Sequence, residues 1–162
     1  MPIFQALHAA DVRYVVVGGV AVVLHGHARL TADLDLAIDL EPAVARRAIV
    51  ALTGLGLRPR APVRAEDFAD PAIRSSWKRE RGMLVFSMVD PSDPLRAVDV
   101  FVDEPIPFAE LHERSLTFDI AEVPVRVASI PDLITLKRQA GRPQDEADIA
   151  ALRELEELGG EP

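Results

Sequence analysis

The apolar run Tyr14-Val-Val-Val17 ends on two glycines, Gly18 and Gly19, and after thirteen further residues comes Asp33-Leu34-Asp35-Leu36. No other feature constrains the chain as tightly. Polar and apolar residues alternate through Asp33-Leu-Asp35-Leu-Ala-Ile, so a strand over 33–38 sets both carboxylates on one face with Cα atoms roughly 7 Å apart. Two carboxylates held together repel, and burying them unpaired is costly, so a divalent cation is the natural compensation. Oxygen-only ligands favour magnesium or manganese. Upstream, a β-branched strand over 14–17, a glycine turn and a buried helix over 20–26 leave backbone N–H groups facing outward with no side chain in front of them, which suits a phosphate. A glycine pair by itself also ends many strands for steric reasons. Joined to the two carboxylates, it reads as a site that handles a nucleotide.

The rest of the chain alternates between helical and extended patterns. A helix precedes Asp11, Pro42 opens a helix running to Thr53, and Gly54 and Gly56 end it. Residues 57–70 read as a loop with a short helix. Strands follow at Met83–Val89 and Val98–Val102, then a short helix opened by Pro105 and Pro107 and ending near His112. Leu116 to Val127 reads as a hairpin with Glu122-Val123-Pro124 near its turn, and two helices, 131–139 and 143–158, close the chain around Gly141-Arg142. This order implies an α+β fold: a mixed twisted sheet with flanking helices and a C-terminal helical pair. Residues 1–129 form the expected core, with the helices of 130–162 packed on it in one compact domain.

Composition narrows the setting. A chain of 162 residues with 49% hydrophobic content suits a single core. It contains no cysteine, which removes disulfides, thiolate metal sites and cysteine nucleophiles, and fits a reducing cytoplasm. No signal-peptide profile opens the chain, and no apolar run approaches the ~20 residues that span a bilayer. A net charge of −8 argues against general nucleic-acid binding. Arg74, Lys78 and Arg81 nevertheless recur at helical spacing beside Trp77, the chain's single tryptophan. They would form either a solvated face or a stripe that guides an RNA acceptor.

The segment Gly18-Gly19, a spacer, and hydrophobic-flanked Asp33-x-Asp35 resembles the signature of the DNA polymerase beta-type nucleotidyltransferase superfamily. Near the other end, Leu136-Lys137-Arg138-Gln-Ala-Gly141-Arg142-Pro143-Gln-Asp145-Glu-Ala-Asp148-Ile149 resembles the C-terminal motif of its minimal bacterial branch, which includes the AbiEii-like toxins. Between them, Arg58 to Arg81 carries no matching motif. Many members have serine after the first glycine; Gly19 removes that hydroxyl here, so phosphate gripping would rest more on the backbone. The resemblance implies transfer of a nucleoside monophosphate from an NTP to an acceptor hydroxyl, with magnesium or manganese, and a cognate antitoxin as partner. It also implies that Arg29 and Thr31 help position triphosphate or metal, although Arg29 pairing with the acids is the simpler reading.

A two-metal site wants a third carboxylate on a neighbouring strand. Asp99 fits best, standing alone among Val98, Val100 and Phe101, and the family places its third acid in such a strand. Asp103, its competitor, precedes Glu104-Pro105 and reads as a turn or cap residue, and Asp39 reads as a helix N-cap. The set Asp33, Asp35 and Asp99 would hold the metal, with Asp99 accepting the hydroxyl proton. Lys137 and Asp148 lie in successive apolar helices. Either Lys137 neutralises the outgoing pyrophosphate while Asp148 orients it or contacts the nucleotide, or the two form an interhelical ion pair with Asp145 and Arg142 as caps. His25 and His27 flank Gly26 without a metal-binding spacing, and packing is their expected role. The acceptor stays open among RNA such as tRNA, a protein hydroxyl and a small molecule. A catalytically silent nucleotide-binding or protein-interaction module of the same fold is the alternative, against which the retention of all three acids argues.

Overall fold

The computed structural model describes residues 2–159. A seven-stranded mixed sheet runs in the order β3-β4-β5-β2-β1-β7-β6, built from β1 (Tyr14–Val17), β2 (Leu34–Ile38), β3 (Arg58–Pro59), β4 (Val85–Asp90), β5 (Asp93–Phe101), β6 (Leu116–Ile120) and β7 (Val123–Val127). Seven helices flank it: α1 (Pro2–Ala9), α2 (Gly18–Leu24), α3 (Pro42–Gly54), α4 (Pro71–Arg81), α5 (Phe108–Arg114), α6 (Ile130–Ala140) and α7 (Pro143–Gly159). A 3₁₀ turn at Ala65–Ala69 leads into α4.

β1 and β2 pair antiparallel, whereas β2 pairs parallel with β5 and β1 parallel with β7. Alternation along the strands splits the sheet into two faces. One carries Leu36, Val98, Val100, Phe86 and Met88, all essentially fully buried. Phe86 is sandwiched there between Phe68 of the 3₁₀ turn, at 5.2 Å between ring centroids, and Trp77 of α4, at 5.3 Å. The other face carries Asp35 and Asp99, each half-buried and flanked in sequence by buried residues.

Several boundaries depart from the sequence reading. α2 begins at Gly18 itself rather than at Val20 and stops at Leu24, and β2 begins at Leu34, so Asp33 sits in the bend before the strand. β5 starts earlier than expected because Asp93 to Phe101 pairs with β4 as a hairpin. The β6–β7 turn lies at Ala121-Glu122, both at positive φ (50° and 69°), the signs that a two-residue hairpin turn compatible with strand twist requires.

Candidate active site

The parallel register of β2 and β5 sets Asp35 directly opposite Asp99, and the antiparallel register of β1 and β2 sets Val17 on Asp35's other side. Strands distant in sequence thus bring the two acids to one point of one face, with Asp33 just before them. Burial first, then the charges of Asp99 and Asp33, push the Asp35 carboxyl from 3.8 up to about 7. Arg142 and Lys137 are close enough to pull in the opposite direction. So large a rise reflects chiefly the burial of the carboxylate, to which the two neighbouring acids add more than Arg142 and Lys137 remove. In its chemistry this all-oxygen donor set fits magnesium or manganese. As the side chains stand, no three His, Cys, Asp or Glu among the described residues are arranged to hold an ion. The fit is therefore one of donor type and uncompensated charge.

The glycine pair is not the open cradle expected from the sequence. Gly18 has φ +67°, and a Cβ there would overlap the Asp35 carboxylate, lying 2.7 Å from its Cγ. A Cβ on Gly19 would lie 2.6 Å from Thr31 Oγ1 and 3.1 Å from an Arg29 guanidinium nitrogen. Missing side chains let the acid close on the first glycine and the Arg29–Thr31 loop close on the second. The Thr31 hydroxyl thus stands within reach of the position that a serine side chain at residue 19 would have occupied.

The positive side comes from Lys137 on α6 and from Arg142 in the connection to α7, while α7 itself supplies two buried acids. Lys137 of α6 is 5% exposed, and Asp145 and Asp148 of α7 are 1% and 3% exposed. Lys137 Nζ lies 2.8 Å from Asp148 Oδ2 and 3.5 Å from Asp145 Oδ1. The Asp148 contact is an ion pair without hydrogen-bond alignment, which leaves that oxygen with no hydrogen-bonded partner. Arg29 Nε donates to Asp148 Oδ1 at 3.1 Å, and Arg142 grips Asp145 through its backbone N–H and its guanidinium. Arg29 therefore pairs with Asp148 rather than with the strand acids. The interhelical ion pair is present, and its cations also act at Asp35, so the structural and chemical readings of Lys137 are compatible.

Removing one member of such a buried network leaves an uncompensated charge. Lys137→Met is expected to lower stability by about 3–5 kcal/mol, which urea denaturation of the two proteins measures. A change under about 1 kcal/mol would show that Asp145 and Asp148 do not depend on this cation.

The three-residue basic stripe is broken at Arg74, leaving Lys78 and Arg81 exposed. Arg74 is buried, stacks over Phe68 at 5.3 Å and donates to the Phe68 and Leu40 carbonyls. Lys78 pairs with Asp103, and Trp77 is buried against Phe86. Helical spacing alone did not reveal that the face carrying Arg74 and Trp77 turns inward. Asp103 follows β5 in a bend, away from the acids' register. Asp39 pairs with Arg13 and accepts from the Glu41 N–H at 3.0 Å, while Glu41 itself occupies the cap position of α3. His25 packs edge-on to Phe118, with Nε2 2.8 Å from the Ala128 carbonyl oxygen. The sequence reading passed over Ser87, which donates to Asp99 Oδ1 at 2.6 Å. Its signal was a lone hydroxyl in an apolar strand, legible only once the β4–β5 register is known.

A glycine turn against an acid pair on a mixed sheet, faced by the cations Lys137 and Arg142 near the C-terminal helical pair, defines a nucleotidyltransferase architecture. Residues 4–160 match the model of the Nucleotidyl transferase AbiEii toxin, Type IV TA system, and the chain belongs to that family. Similar solved structures carry the same fold. ANT(2")-Ia in complex with adenylyl-2"-tobramycin shares 18% identity over 97% of this chain and 90% of its own, with a TM-score of 0.57. An antigenic nucleotidyltransferase-like protein from Paracoccidioides brasiliensis shares 14% identity over 96% and 72%, also at 0.57. No curated protein matches the chain by sequence. Among the described residues no helix is long and apolar enough to cross a membrane.

Proposed function

We propose that this chain transfers a nucleoside monophosphate from an NTP to an acceptor hydroxyl, as the toxin of a toxin–antitoxin pair working in the cytoplasm. The observation that carries the reading is the direct pairing of Asp35 with Asp99 in register, at a point where Gly18 lacks the Cβ that would displace the Asp35 carboxylate. Asp33, Asp35 and Asp99 would hold magnesium or manganese, which when bound supplies charge stabilisation at the phosphates and acidifies the acceptor hydroxyl. The acceptor oxygen bonds to the α-phosphorus, the bond from that phosphorus to the bridging oxygen of the β-phosphate breaks, and pyrophosphate leaves. Asp99 takes the hydroxyl proton. Lys137 and Arg142, close enough to act on Asp35, offset the charge of the departing pyrophosphate. Arg29 and Thr31, which close over Gly19, hold the triphosphate together with the backbone N–H groups of Gly18 and Gly19, the Thr31 hydroxyl standing in for a serine's, and Asp148 fixes Lys137 and Arg29. In this reading residues 130–162 act with the 1–129 core as one unit, because the cations come from one and the acids from the other.

The test is incubation with each α-labelled NTP in turn, magnesium and a cell extract, followed by separation of RNA, protein and small molecules. One NTP is expected to label one class of acceptor, with the label lost in Asp99→Asn. Labelling that persists in that variant, or no transfer from any NTP, would overturn the reading. Arg74 is buried and breaks the three-residue stripe, so its spacing no longer argues for an RNA acceptor over the others.

A further inference from the structure

The row of side chains that carries the acids does not end at Asp99. The β4–β5 register sets Ser87 opposite Asp99, so both project from one face of the sheet. Ser87 Oγ donates to Asp99 Oδ1 at 2.6 Å, and both residues are half-buried. On the other face Phe86 and Met88 are buried in the core, while Ser87's same-face neighbours along the strand are Val85 and Val89. Valine suits a strand better than serine does. The one hydroxyl in this strand stands at the register position that meets the third acid.

We propose that Ser87 is a positioning residue for Asp99, holding the carboxylate by one oxygen and leaving Oδ2 to accept the proton of the acceptor hydroxyl. The inference rests on the transfer reading above. The terminal torsion of an aspartate is broad, so an untethered carboxylate samples many orientations. A hydrogen bond donated to a charged oxygen is among the stronger kinds and selects one of them. Ser87 keeps its own proton throughout; the only proton that moves passes from the acceptor oxygen to Asp99.

The test compares the parent with Ser87→Ala, Ser87→Thr and Asp99→Asn, using an equimolar mixture of the four α-labelled NTPs, magnesium and a fixed cell extract. Ser87→Ala is expected to lower the rate at saturating NTP by about tenfold or more and to leave the half-saturating NTP concentration unchanged. Ser87→Thr, which keeps the hydroxyl on a strand-favouring side chain, is expected to regain most of the rate. Manganese titrated calorimetrically into the metal-free proteins is expected to bind about tenfold more weakly to Ser87→Ala than to the parent. A parental rate in Ser87→Ala, a loss that threonine does not restore, or an effect confined to NTP half-saturation would overturn the positioning role. Undiminished transfer by Asp99→Asn would instead remove the catalytic reading beneath it, so the two failures are distinct.

Discussion

Asp35→Asn is expected to abolish nucleotidyl transfer and, with metal chelated, to make the protein more stable. Asparagine keeps the shape but removes the charge, and loss of a group in contact with reacting charge costs roughly 10³-fold or more in rate. The stability gain follows from the raised carboxyl. Its value of about 7 in the fold lies above the ordinary 3.8, so the native state holds the proton more tightly than the unfolded chain does. This group therefore costs nothing below about pH 4, and its cost grows as pH rises through 7. The variant and parent should melt together near pH 4 and diverge toward pH 8, where the variant gains roughly 2–4 kcal/mol or about 5–10 °C. Calorimetric scans across that range in chelator test it. A variant less stable than its parent at pH 8 would mean that Asp35 is a structural hydrogen-bonding group rather than one of a repelling set.

Gly18→Ala should be nearly as damaging to transfer, by a steric route. The residue sits at φ +67°, where an L side chain costs about 1–2 kcal/mol, and the new methyl group would occupy the space of the Asp35 carboxylate. Relief requires the carboxylate to leave the position it holds against Gly18, which disturbs its placement beside Asp99. Stability is expected to fall by roughly 2–4 kcal/mol and transfer by about 10²-fold. Adding Asp35→Gly to Gly18→Ala clears the space, so the double variant should recover part of the stability and none of the activity. If Gly18→Ala alone retained the parent's rate, the contact between glycine and acid would have no part in catalysis.

These two residues, with Asp99, show how much of the site was legible in the sequence. Strand parity ties Asp35 to one face, and the isolation of Asp99 among aliphatic residues, read with the family resemblance, marks it as the third acid. Which strands lie side by side is not local. The pairing of β4 with β5 decides that Ser87 meets Asp99, and nothing in Val85-Phe-Ser-Met-Val89 records it. The same limit governs α4, where the spacing of Arg74, Lys78 and Arg81 is helical. The direction the helix faces is set by Phe86 and Phe68, residues on other elements. The glycine pair shows a third limit: a sequence indicates that a Cβ is absent, and only the fold shows whether that space admits a ligand or one of the protein's own side chains.

The order of the sheet has a consequence for synthesis. β5 is the strand between β2 and β4, and its parallel pairing with β2 joins residues 35 and 99, a closure between distant segments that forms slowly compared with local hairpins. Lys137 and Asp148 come later still. A ribosome that has released only the first 130 residues has made all three acids and neither Lys137 nor Arg142, the cations that act on Asp35. On the proposed transfer reading, the nascent chain would lack the cations that face its acids until residues 137 and 142 have emerged, and products cut short before α6 would carry the acids alone.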